Sequence, residues 1–215
     1  NGDIEWTFDL EAGGAKAHIQ QQITVLDGLG TLRLLTFDGK EHATKYQQII
    51  SFEPLQDGFL LLTEQSEVKK INSSFEEVFS REQRGDIGED IVHYGQGLNS
   101  TWFVAREGHA LVPGDEEALE IEFFTGNERV SRSEITGRVR AFSSKNEIQY
   151  LGLDNGTIIH VSDVYELTEI HQFPYAIQCL ALTEKHLIVG TWFHIYGINL
   201  VSSEIDWTIE HKGFV

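Results

Sequence analysis

The sequence predicts an all-β chain of small antiparallel sheets, and three observations predict it. Val139-Arg-Ala-Phe-Ser-Ser-Lys-Asn-Glu-Ile-Gln-Tyr-Leu-Gly152 lies over Ile177-Gln-Cys-Leu-Ala-Leu-Thr-Glu-Lys-His-Leu-Ile-Val-Gly190 at a constant offset of 38 residues, without a gap. Ile4-Glu-Trp-Thr-Phe-Asp-Leu10 and Ile205-Asp-Trp-Thr-Ile-Glu210 read as two copies of one alternating strand, with Trp6 and Trp207 in register 201 residues apart. No window carries a convincing helical stripe; Asp115 to Glu122 comes nearest, and its apolar spacing fits a strand as well. A repeat near 40 residues made only of short strands marks a β-propeller blade, because a lone four-stranded sheet cannot cover its own faces. The expectation is a single β-propeller domain over residues 1–215, of four-stranded antiparallel blades. About five blades would close on themselves at this length; an excerpt of a seven-bladed ring would leave open edges.

The elements follow from period-2 alternation and from β-branched or aromatic runs punctuated by Gly, Asp, Asn and Ser. A first group spans Ile19 to Phe37, with a turn at Asp27-Gly-Leu-Gly30 and a close at Asp38-Gly39; its outer part, Lys40 to Tyr46, is polar and poorly patterned. The second runs from Gln48 to Phe79 through Ile49-Ile-Ser-Phe-Glu53, Phe59-Leu-Leu-Leu-Thr63, Val68-Lys-Lys-Ile71 and Glu76-Glu-Val-Phe79. In the third, strands are expected at Ile91–Tyr94, Thr101–Ala105, His109–Val112 and Ala118–Phe124. Val139 to Phe173 and Ile177 to Ile209 complete the series. Asp38-Gly39, Asp57-Gly58 and Asp154-Asn-Gly156 supply the positive-φ positions that tight hairpins need.

This pattern resembles the β-propeller repeat families, both WD40-like and quinoprotein-dehydrogenase-like. The latter carry a Gly-x-x-x-Trp-x-Phe/Ile strand similar to Gly2-Asp-Ile-Glu-Trp-Thr-Phe8, whereas Ser203-Glu-Ile-Asp-Trp-Thr-Ile209 has Ser203 in place of the Gly. Gly108-His109 is present, but no Trp-Asp dipeptide follows it.

Lys and Arg total 16 against 34 Asp and Glu, a formal net charge of −18. Such a surface repels phosphate backbones, so nucleic acid is not an expected partner, while a basic protein is. No apolar run approaches the roughly 20 residues of a membrane-spanning helix. Cys179 stands alone, which rules out an intrachain disulfide, and its place in a strand predicts a small buried hydrophobe. The lack of disulfides favours a cytoplasmic setting; sequons at Asn72, Asn99 and Asn155 fit an exported one. The chain has no Met and opens at Asn1, which fits an excised domain, a processed product or a trimmed chain.

Signatures of chemistry are sparse. Phosphate-binding glycine loops, the nucleophile elbow and paired zinc ligands are absent, so neither cofactor nor zinc is expected. Ser66-Glu-Val-Lys69 matches Ser-x-x-Lys without companion motifs and reads as coincidence. Asp86, Glu89 and Asp90, beside Gly88, make a candidate Ca²⁺ loop of hard oxygen ligands, although Ile87 interrupts the run and a solvated loop is the plainer reading. His160, His171, His186, His194 and His211 cluster late, but none lies on an expected innermost strand. In Trp192-Phe-His-Ile-Tyr196 alternation puts Trp192, His194 and Tyr196 on one face, as candidates for partner binding or for packing between blades. Together these features point to a non-catalytic scaffold that recruits a protein partner. A glycan- or ligand-binding propeller using Trp102 and Trp192, or a glycosidase with paired carboxylates, are the alternatives.

Overall fold

Within each sheet every strand pairs with its neighbour in sequence, and several of the described turns between them close through short backbone hydrogen bonds. The computed structural model describes residues 5–10, 12–20, 22–42, 46–55, 57–65, 67–81, 89–98, 101–108, 119–126, 128–145 and 148–212, with backbone alone at 15, 81, 89–93, 107 and 108. Two compact units divide the chain, Asn1–Arg84 and Gly85–Val215. The first unit holds a three-stranded sheet, β1 (Gly14–Ile19), β2 (Ile23–Asp27) and β3 (Leu32–Leu35). It also holds a four-stranded sheet, β4 (Ile49–Leu55), β5 (Gly58–Thr63), β6 (Val68–Asn72) and β7 (Glu77–Arg81). The second unit has three four-stranded sheets: β8 (Glu89–Gln96) to β9 (Trp102–Gly108), β10 (Leu119–Thr125) and β11 (Glu128–Glu134); β12 (Val139–Lys145) to β13 (Ile148–Leu153), β14 (Thr157–Val161) and β15 (Leu167–Gln172); and β16 (Cys179–Leu182) to β17 (His186–Gly190), β18 (His194–Asn199) and β19 (Ile205–Glu210). All pairings are antiparallel.

The 38-residue offset holds in three dimensions. Ala141 pairs with Gly152 as Cys179 pairs with Gly190, and β15 and β19 begin at equivalent positions. Irregularities repeat as well. The first strand of each of the first four sheets carries a β-bulge, between Gly14 and Lys16, Ile49 and Ser51, Ile91 and His93, and Val139 and Ala141. The outermost strand of each later sheet carries another, at Val78, Val130, Ile170 and Asp206. Such bulges disrupt the free ladder of an edge strand and so discourage pairing with another chain. The turn before the outermost strand places Phe75, Tyr165 and Ser203 in the left-handed region, each donating its N–H back across the turn.

Burial lies between sheets. Leu26, Leu32 and Leu34 of the first sheet meet Phe52, Phe59 and Leu61 of the second. Phe103, Ile121 and Phe123 of the third meet Leu151, Leu153 and Ile159 of the fourth, while Ile158 and Tyr150 meet Leu187, Val189 and Ile198 of the fifth. In the second unit the first strands β8, β12 and β16 lie side by side.

Three expectations differ from this arrangement. In the third sheet Ala118–Phe124 was expected as the last strand; Leu119–Thr125 is the third, and β11 is the last. Expected strand His109–Val112 lies outside the described residues. Pattern reading passes over β11 because Glu-Arg-Val-Ser-Arg-Ser-Glu has one apolar residue. An outermost strand needs no apolar face when its charges pair inward, as Arg129 does with Glu122 and Arg132 with Glu120. Residues 5–10 form no strand; Trp6 is held instead by its indole N–H, which donates to the Phe37 carbonyl at 2.8 Å, over Gly39. Among the described residues the outer part of the first sheet holds two isolated bridges, Leu35 to Glu41 and Leu32 to Tyr46.

Two buried carboxylates are held by hydrogen bonds. Glu122, fully buried, accepts from Arg106 at 3.0 Å and Arg129 at 2.8 Å. Burial alone would raise the Asp27 carboxyl, but the Thr31 amide, the Arg33 guanidinium and the Leu29 amide together outweigh it and hold the group below its ordinary 3.8. Glu122→Ala leaves a buried guanidinium without this carboxylate and should cost about 3–5 kcal/mol in urea unfolding. For Asp27, a depressed folded value means a contribution that is present above the unfolded value and lost as pH falls through the folded one. The stability gap between wild type and Asp27→Asn should therefore be full at neutral pH and close below the ordinary 3.8.

Candidate functional site

The turn between the second and third strands distinguishes the fourth sheet from the fifth. In the fourth it is Asp154-Asn155-Gly156, a polar tight turn in which Gly156 donates its N–H to Leu153 at 3.1 Å and Asn155 Oδ1 accepts from Thr157 at 3.0 Å. Glycine is required there: its φ is +91°, and a Cβ would lie 2.1 Å from the Phe173 carbonyl oxygen. At the equivalent place the fifth sheet has Trp192-Phe193-His194. This turn closes through the Thr191 N–H, which donates to the His194 carbonyl at 2.9 Å, and its tip is bulky and aromatic.

Trp192 and Phe193 are 38% and 46% exposed, and Tyr175, from the connection between β15 and β16, is 39% exposed. The Tyr175 and Phe193 rings meet edge to face with centroids 5.1 Å apart. Pro174, also exposed, precedes Tyr175. Tyr175 and Phe193 form an exposed aromatic pair, with exposed Trp192 next to Phe193 in the chain.

His194 and Tyr196 are half-buried and belong to a row beneath it. Their rings stack at 5.5 Å, Tyr196 lies 4.4 Å from buried Phe173, and Phe173 stacks on His171 at 5.8 Å. The row crosses the junction of the fourth and fifth sheets. Burial pushes the Tyr196 phenol up, and Tyr175 adds to the shift. Of the residues expected on one face, Trp192 thus lies at the exposed turn, while His194 and Tyr196 point into packing. Tyr175 and Phe193 were not anticipated. Aligning the turn with Asp154-Asn155-Gly156 would have revealed Phe193 at a tip; Tyr175 has no signal beyond its place after Pro174.

The other candidates lie elsewhere. Asp86 is outside the described residues, as is Ser66; for Glu89 and Asp90 the backbone alone is described, at the start of β8. Among the described residues no three His, Cys, Asp or Glu are grouped as a metal site. Trp102, expected as an exposed aromatic, is buried: it stacks on Phe124 at 4.5 Å and donates to the Gly126 carbonyl at 2.8 Å. Cys179, expected to be buried, is exposed, because it lies on the face of the fifth sheet opposite the fourth. Asn72 donates its side-chain amide within its own turn to Glu76, and Asn155 donates its amide to the Thr136 carbonyl in the connection between β11 and β12.

Comparison with solved structures gives the class. The chain is similar to KlAtg21 in its complex with the coiled-coil of AgAtg16 (TM-score 0.68, 10% identity, covering 90% of this chain and 68% of that one). It is also similar to the Neurospora crassa Pan2 WD40 domain (0.66, 9%, 93% and 66%). A third likeness is to the β-propeller domain of Myceliophteria thermophila Cps50 (Swd1) (0.64, 11%, 94% and 74%). No family model matches the sequence, and no curated protein matches it. At such identities the likeness is one of fold: the chain has a β-propeller fold.

If Tyr196 packs and Phe193 faces solvent, their truncations should separate. Tyr196→Ala should cost about 3 kcal/mol, whereas Phe193→Ala should change unfolding stability by under about 1 kcal/mol, both read by urea denaturation.

Proposed function

We propose that the protein is a non-catalytic interaction scaffold that docks a partner protein on Tyr175, Trp192 and Phe193. The observation that carries this reading is the exchange of a polar tight turn for exposed aromatics at one repeat position. A scaffold turn is satisfied by Asp-Asn-Gly; two large rings at the turn tip, with Tyr175 against one of them, serve folding poorly and suit binding, where aromatic anchors dominate affinity. The net charge of −18 favours a basic partner, steered from a distance and sensitive to salt. KlAtg21, whose structure was solved in complex with the coiled-coil of AgAtg16, is consistent with such a role for this fold. A repeated glycan-binding site is less well supported, since the fourth sheet offers no matching aromatic turn.

Affinity capture from native extract, with wild type and variants side by side, tests the reading. A stoichiometric partner should be retained by wild type and by a Val130→Ala control on an outer strand. It should be lost in the Tyr175→Ala/Phe193→Ala double variant and weakened at least ~10-fold by raising salt from about 50 to about 500 mM. Equal recovery by the double variant would refute the assignment.

A further inference from the structure

A small cavity lies where the fourth and fifth sheets meet, at the end of the strands away from the aromatic turn. β17 runs from His186 to Gly190; the cavity borders the turn before it, and Trp192 and Phe193 lie in the turn after it. Its volume is about 170 Å³, and it is lined by Lys145 and Ile148 of the fourth sheet and by Leu182, Thr183, Glu184 and Leu200 of the fifth. Ile148, Leu182 and Leu200 are half-buried and pack against the core the two sheets share, so the cavity extends an apolar interior toward solvent. Lys145, Thr183 and Glu184 are exposed and form its rim.

Hydrogen bonds fix the walls. Leu182 donates its N–H to Ser143 Oγ at 3.1 Å, which ties the fifth sheet to the fourth. Thr183 closes the turn: its N–H donates to the His186 carbonyl at 2.9 Å, and its Oγ1 accepts from the His186 N–H at 2.9 Å. Leu200 donates its N–H to the Lys185 carbonyl at 3.0 Å. A site braced in this way loses little ordering entropy when it is filled. The Thr183 hydroxyl is committed to its own turn. The two charges are not: among the described residues neither Lys145 nor Glu184 has an ion-pair partner or a side-chain hydrogen bond.

We infer that the cavity is a site for a free aliphatic α-amino acid, with its side chain on Ile148, Leu182 and Leu200, its carboxylate toward Lys145 and its ammonium toward Glu184. Size selects a small occupant: an apolar cavity of roughly 150 Å³ holds a benzene-sized molecule, whereas drug-sized ligands need about 300 Å³ or more. Charge selects among small occupants. A residue inside a peptide carries neither charge and would cover both rim groups without pairing them, and a chain end carries only one. A free amino acid carries both on one carbon, matching a rim of one cation and one anion. The site is independent of the docking surface on Tyr175, Trp192 and Phe193.

Methyl NMR of the intact chain, titrated with L-leucine, tests the inference at Ile148, Leu182 and Leu200. Their signals should shift saturably, with an apparent Kd of about 1 mM. Isocaproate lacks the ammonium, isoamylamine lacks the carboxylate, and N-acetyl-leucine amide carries neither charge; each should bind at least ~10-fold more weakly than leucine. Lys145→Gln should weaken leucine at least ~5-fold and leave isoamylamine unchanged, and Glu184→Gln should weaken leucine equally and leave isocaproate unchanged. Both positions are exposed, so folding should be retained, and the remaining methyl signals check it. No saturable shift up to about 50 mM leucine would overturn the inference. So would N-acetyl-leucine amide binding as tightly as leucine, which would point to a protein side chain, or variants that bind leucine as wild type does.

Discussion

A four-stranded sheet with two apolar faces cannot stand alone in water, and this constraint organises the molecule. β5 shows it most plainly: Gly58 to Thr63 is buried at every position, so both its faces need cover. At roughly 25 cal/mol for each Å² of apolar surface removed from water, leaving one face bare forfeits several kcal/mol. Stacking one sheet upon the next meets the need, and it makes each interface a variation on the last. Leu151 and Leu153 look toward the third sheet while Ile158 and Tyr150 look toward the fifth.

The same constraint frees other positions. Outermost strands need only a ladder partner on one side, so β11 can be made of Arg, Ser and Glu, and bulges at Val78 and Val130 interrupt the exposed edge. Turn tips are freer still, provided that the backbone closes. Asp154-Asn155-Gly156 closes one turn by side-chain and glycine chemistry. Thr191 closes the next from its base through its N–H to the His194 carbonyl, so that this closure does not use the Trp192 and Phe193 side chains. Function on a repeat scaffold is best sought where the register calls for a turn and the residues exceed what a turn requires.

Much of this architecture was legible in the sequence. The 38-residue offset carries real register, as the pairs Ala141–Gly152 and Cys179–Gly190 show, because strand and turn lengths are locked together by hairpin geometry. Outer strands were less legible, since β11 lacks the alternation by which strands are recognised. The Trp6 and Trp207 segments look alike, yet only the second forms a strand among the described residues; a ladder depends on an available edge, and composition does not record one. For the site, Trp192 was visible as an aromatic in a run, but alternation beginning at Trp192 misjudged where β18 starts. Burial was the least legible property of all. Trp102 and Cys179 are both strand residues, and which one is covered depends on whether a neighbouring sheet lies against that face.

Thiol reactivity measures that dependence directly. Position 141 on the fourth sheet and position 179 on the fifth are equivalent in the repeat, one covered and one bare. In dilute protein Cys179 should alkylate as an accessible thiol, while the Ala141→Cys, Cys179→Ser variant should react at least ~100-fold more slowly, limited by opening of the structure. Equal rates at the two positions would contradict the stacking of the fifth sheet on the fourth, on which the account of the fold depends.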